Sequence, residues 1–97
     1  MSKAYVIGHV TLTNPEKFMA DYGSKVEDTI KAFGGKFLAR GGKVSYQEGE
    51  PLGEIHVIVE FPDRAAGIAW EESEQYQAIL AGRTDNTVGG ILIMDGV

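Results

Sequence analysis

Two segments of this chain are apolar on both sides of what must be a strand, and that limits the available folds more than any other feature. Ala4 to Leu12 (AYVIGHVTL) and Ile55 to Phe61 (IHVIVEF) are rich in β-branched and aromatic residues, the composition of a pleated, covered surface. Successive strand side chains point to opposite faces. Tyr5, Val6, Ile7 and Val10 therefore project both ways, as do Val57, Ile58 and Val59. A sheet built from such strands has to be covered twice.

The rest of the chain supplies one cover. Asn14 or Thr13 starts a helix: Asn is a favoured N-cap, Pro15 suits the first turn, and Thr13 with Glu16 has capping-box spacing. Phe18, Tyr22, Val26, Ile30 and Phe33 then form one apolar stripe, and Gly34-Gly35 ends the helix. Lys36 to Glu48 reads as an edge strand with a bulge or bend at Gly41-Gly42, and Gly49 to Gly53 as the turn of a hairpin leading into Ile55 to Phe61. Pro62-Asp63 caps a second helical region from Arg64 to about Arg83, kinked or divided where Ser73 can recap it. Thr87 to Met94 is the last strand, bent at its Gly-Gly pair.

Strand, helix, strand, strand, helix, strand is the ferredoxin-like βαββαβ order, an α+β fold with a four-stranded antiparallel sheet and both helices on one face. Its other face is bare. Because the strands are too apolar to leave that face wet, a second copy packed sheet to sheet is the expected cover, making a homodimer. A length of 97 residues allows one core, so residues 1–97 are read as one domain.

Composition then removes several function classes. Without cysteine there is no disulfide, thiolate nucleophile, iron–sulfur cluster or thiolate zinc site. No apolar run approaches membrane length and no signal-peptide core precedes the first strand, so a cytoplasmic setting without membrane contact is expected. A net charge of −5 with only scattered Lys and Arg opposes nucleic acid as a partner. Gly41-Gly42-Lys43 is followed by Val44 rather than Ser or Thr, which excludes a standard phosphate loop, and no serine has the setting of a hydrolase nucleophile.

Specific residues carry a resemblance as well. Tyr5-Val6-Ile7, Asn14-Pro15-Glu16, the run Gly34 to Gly42 (GGKFLARGG), Glu48-Gly49, Val59-Glu60-Phe61-Pro62, Ala69-Trp70, Ser73 to Gln77 (SEQYQ) and Asp95-Gly96-Val97 resemble, in this order and spacing, the bacterial family known as domain of unknown function 1330. The resemblance covers nearly the whole chain and implies the dimeric α/β barrel superfamily. That superfamily holds cofactor-independent monooxygenases, isomerases such as muconolactone isomerase, and haem enzymes, so the implied fold leaves the function open. Relatives often carry an Arg at the start of the third strand, where this chain has Ile55-His56.

Few residues could carry chemistry. His9, His56 and Glu60 suggest a two-histidine, one-carboxylate metal site, but His56 and Glu60 stand about 13 Å apart along one strand. A pairing of His9 with one of them across adjacent strands stays open, and no metal or cofactor is assigned. Singly, each histidine reads as partly buried and hydrogen-bonded to backbone or to a dimer mate; as a functional candidate His9 leads, lying mid-strand in an apolar run. Arg40 and Glu60 are charges inside strand patterns, and burial would oblige them to form ion pairs or to meet a polar ligand. In the second helical region Trp70 reads as core, Ser73 as a helix cap, Arg83 as a complement to the helix dipole, and Tyr76 as able to aim its hydroxyl into a cavity.

The expectation is a small-molecule pocket between helices and sheet, with His9, Arg40 and Glu60 as catalytic candidates and Trp70, Ser73 and Tyr76 as substrate-binding ones. An enzyme there would perform cofactor-free proton transfer or oxygen insertion, His9 acting as base and Arg40 stabilising enolate charge. The alternative is a non-catalytic dimer that binds a metabolite or another protein.

Overall fold

The computed structural model describes residues 2–97. Strand β1 spans Ala4–Leu12, β2 Lys36–Arg40, β3 Ile55–Phe61 and β4 Thr87–Asp95. Every pairing is antiparallel and the order is β2-β3-β1-β4, the ferredoxin-like arrangement with β1 and β3 at the centre.

The first helical region is divided into α1 (Pro15–Phe18), a π-helical segment (Met19–Gly23) and α2 (Val26–Lys31). Asn14 is its N-cap, accepting from the Lys17 amide at 3.2 Å. A continuous α-helix was expected here, and the stripe explains the difference. Steps of four residues overshoot a full α-turn by about 40°, so Phe18, Tyr22, Val26 and Ile30 would drift around the helix. The wider π turn takes up part of that drift. The second region forms α3 (Arg64–Glu72), α4 (Glu74–Gln77) and α5 (Leu80–Thr84). Ser73 divides it as expected, accepting from the Tyr76 amide at 3.1 Å.

One expectation fails. β2 and β3 do pair as an antiparallel hairpin, but residues 41–54 form its long irregular connection rather than the second half of an edge strand and a short turn. Gly41 adopts φ +64°, the left-handed conformation that stops a strand, while its amide still donates to the His56 carbonyl at 2.9 Å. The irregular segment beyond it is exposed almost throughout, including Tyr46 and Leu52.

Alternation along the strands sorts the sheet into two faces. Val6, Val10, Val59 and Phe61 are buried beneath the helices with Tyr22, Val26, Ile30, Trp70 and Tyr76. Phe61, Trp70 and Tyr76 stack in series, with ring centroids 5.5 and 4.1 Å apart. On the opposite face Ile58, Leu92 and Met94 are 37, 49 and 52% exposed. The protomer measures 34 × 33 × 16 Å, the thickness of one sheet and one helix layer.

Candidate functional site

Between the two layers lies a cavity of about 300 Å³. Its floor is the inner face of the sheet: Val6, Gly8 and Val10 of β1, Val57 and Val59 of β3, and Ile91 of β4. The first helical region closes it with Phe18, Met19, Tyr22, Val26 and Ile30, and α3 adds Trp70. Arg40 and Arg83 are the charged side chains in its wall among the described residues.

The polar end is organised around two tyrosines. Tyr22 and Tyr76 bring their hydroxyls to 2.9 Å, and Arg83 donates from Nε to the Tyr76 oxygen at 3.3 Å. Burial, and then the neighbouring Tyr76, push the Tyr22 phenol far above the ordinary tyrosine range, so it stays protonated and is a hydrogen-bond donor rather than a base. Tyr76 is itself wholly buried and holds Tyr22 instead of reaching the cavity. Trp70 donates to Thr29 Oγ1 at 3.0 Å, fixing the indole in the wall. Glu71, behind Arg83, has a buried Oε2 without a hydrogen-bond partner; burial raises its pKa, with Arg83 acting in the opposite direction.

Arg40 reaches the cavity because of a bulge. Lys36 pairs with Glu60 and Phe37 with Val59, but the register shifts so that Ala39 pairs with Ile58 and Arg40 with Val57. The extra residue at Leu38 turns Arg40 to the helix side, where simple alternation from Lys36 would have put it on the other face. There its guanidinium lies 4.4 Å from the Phe37 ring centroid and donates to the Gly23 carbonyl at 2.6 Å, at the end of the π-helical segment.

The expected trio of His9, Arg40 and Glu60 does not share a cavity. His9 and Glu60 alternate with Val10 and Val59 and so occupy the uncovered face, with the sheet between them and Arg40. Glu60 forms ion pairs with Lys3 at 3.3 Å and Lys36 at 3.5 Å, not with Arg40. Burial pushes its carboxyl upward, and Lys3, then Lys36, outweigh this and leave it below the usual carboxylate range. His9 faces His56 in register, Nδ1 to Nδ1 at 2.8 Å. Of the substrate-binding candidates, Trp70 lines the cavity, while Ser73 is engaged as a cap, its hydroxyl also donating to the Trp70 carbonyl at 2.7 Å.

Tyr22 and Arg83 belong to the site although sequence reasoning gave them to the apolar stripe and the helix dipole. The available signal was the phenol itself: a tyrosine on a core-facing stripe needs a partner for its hydroxyl, and so does one in the second helix. Among the described residues no three His, Cys, Asp or Glu side chains gather in a metal-binding group. No helix among them is long and apolar enough to cross a membrane.

An antiparallel β2-β3-β1-β4 sheet with its helices on one side is a ferredoxin-like α+β fold, and several solved structures share it. RPA0582, a protein of unknown function from Rhodopseudomonas palustris, aligns with a TM-score of 0.68 at 16% identity, over 98% of this chain and 81% of its own. Its methylated form gives 0.72 at 17%, over 99% and 82%. An antibiotic biosynthesis monooxygenase gives 0.50 at 16%, over 100% and 99%. The chain belongs to the family described as Domain of unknown function (DUF1330), whose model matches residues 3–97. Among curated proteins no sequence matches it.

Proposed function

We propose that this protein is a small-molecule-binding homodimer in which each protomer holds one mainly apolar ligand between helices and sheet. The observation that carries the reading is the cavity of about 300 Å³. Small-molecule pockets are clefts of about 300–1,000 Å³ with mainly apolar walls, and this one matches that description. A dry cavity of about 150 Å³ accommodates benzene. Twice that volume suits a compound of two fused rings or a medium alkyl chain. Its single polar group, a carboxylate or an enol oxygen, would meet the Tyr22 hydroxyl and the Arg40 and Arg83 guanidiniums.

Binding is favoured over catalysis by the character of the wall. No imidazole or carboxylate lines it among the described residues, and Tyr22 keeps its proton. Arg40 could stabilise enolate charge, but none of the lining side chains is placed to take up the proton of a carbon acid. Likeness to a monooxygenase at 16% identity concerns the fold and brings no reaction with it.

The second copy is supported by the uncovered face. Ile58, Leu92 and Met94 lie on it exposed, in a protomer only 16 Å thick. Contiguous apolar surface of this kind marks an association site, and two-fold self-pairing is the commonest solution.

Native mass spectrometry of freshly purified protein, followed by thermal-shift titration with one- and two-ring aromatic carboxylates, tests both parts. A dimer that retains or is stabilised by such a compound, with the effect lost in Val57→Phe, which fills the cavity floor, is the expected result. Binding unaffected by Val57→Phe overturns the pocket; a monomer at micromolar concentration overturns the dimer.

A further inference from the structure

The uncovered face carries a second polar arrangement, independent of the cavity. His9 and His56 are cross-strand neighbours on the two central strands, their Nδ1 atoms 2.8 Å apart and their rings 73° from coplanar. Two Nδ1 atoms can meet at that distance only if one carries hydrogen and the other presents its lone pair. Moving that hydrogen to Nε2 of the same ring is a tautomer change that costs no net proton. It leaves two nitrogen lone pairs converging on one point.

We propose that His9 and His56 form a two-nitrogen site for a borderline transition-metal ion, Zn²⁺ first, on the uncovered face of the sheet. Tetrahedral zinc with nitrogens at about 2.0–2.1 Å needs them about 3.3 Å apart, an opening of about half an ångström from the 2.8 Å contact that side-chain rotation would have to supply. Imidazole suits zinc, copper and nickel. Within a single protomer the approach is open as well. The residue opposite His9 on β4 is Gly90, where a Cβ would meet nothing within 4 Å. A depression of about 260 Å³ lined by Ile7, His9, Leu52 and Leu92 adjoins it. In the dimer proposed above, this face meets its copy, so water held in the depression or a donor of the second copy would complete the coordination sphere. A bound ion would clamp β1 to β3 from the side opposite the cavity.

Calorimetric titration of chelator-treated protein with Zn²⁺ near neutral pH, backed by the visible absorption of added Cu²⁺ or Ni²⁺, tests this. Micromolar binding that saturates at no more than one ion per chain is expected. His56→Gln and His9→Asn should each weaken it by at least about tenfold, as loss of ligand-shell partners does elsewhere. Circular dichroism checks that both variants fold, and histidine ¹⁵N shifts of the wild-type protein give a readout that needs no variant: zinc should move both Nδ1 resonances. Absence of binding in the wild-type protein, binding that survives both substitutions, or unmoved Nδ1 resonances would overturn the proposal.

Discussion

The hydroxyl oxygens of Tyr22 and Tyr76 lie 2.9 Å apart, joining the π-helical segment to α4 through a contact fully inside the helix layer. Each phenol is satisfied chiefly by the other, with Arg83 as the third member. Tyr76→Phe strands the Tyr22 hydroxyl and removes the acceptor for Arg83. It should lower unfolding free energy by about 1–3 kcal/mol in urea titration. Tyr22→Phe combined with it should cost less than the sum of the two, because the double variant leaves no phenol unpaired. Strict additivity would mean that the hydroxyls do not interact.

The same burial sets the alkaline limit. Tyr22 titrates above its unfolded value in the folded chain, so the stability it contributes is complete below the unfolded phenol pKa of about 10 and is lost as pH rises beyond it. Tyrosinate absorbance at 295 nm should rise in two stages, the second coinciding with loss of helix by circular dichroism. Tyr22→Phe should move unfolding to higher pH.

Glu60 acts in the opposite direction. Its folded pKa is lowered, so its stabilisation is present above the unfolded carboxylate value and is lost as pH falls through the folded one. Glu60→Gln should flatten the acid limb of the stability curve below about pH 5 while changing stability little in a medium of high salt, where exposed Lys3 and Lys36 are screened. An acid limb as steep as that of the wild-type protein would show that these ion pairs contribute nothing.

At Gly82 the backbone of α5 meets the π-helical segment. A Cβ there would stand 2.8 Å from the carbonyl carbon and oxygen of Asp21, atoms that cannot turn aside. Gly82→Ala should therefore destabilise by about 1–3 kcal/mol despite alanine's better helix propensity, the usual cost of overpacking. A stabilised variant in thermal unfolding would show that the two segments can part.

On the uncovered face, Ile58→Lys with Leu92→Lys should convert the proposed dimer to monomers in sedimentation velocity and leave the circular dichroism spectrum in place. Both side chains lie away from the core, so loss of fold would assign them a role within the protomer instead.

Much of this architecture was legible because it rests on local rules. The apolar patterns of β1 and β3, the caps at Asn14, Asp63 and Ser73, and the stop at Gly34 all act within a few residues. The site was legible only in part. That Tyr22 finds Tyr76 across 54 residues, or that His9 stands beside His56 across 47, depends on how elements pack and on register, which local pattern does not encode. Residues 41–54 misled because alternating polar and apolar residues such as Lys43 to Tyr46 look like a strand whether or not a neighbour is there to pair with them.

The slip at Leu38 bears on how relatives should be compared. A homologue with the same arginine at the same spacing but a regular, unbulged β2 would pair it opposite the position of His56 and send its guanidinium to the uncovered face of the sheet, whereas one residue fewer between Phe37 and Arg40 would remove the bulge and leave it facing the helices. Conservation of the letter alone therefore says nothing about conservation of the role. The number of residues between Phe37 and Arg40, read together with the presence of the bulge, decides which face of the sheet the arginine occupies.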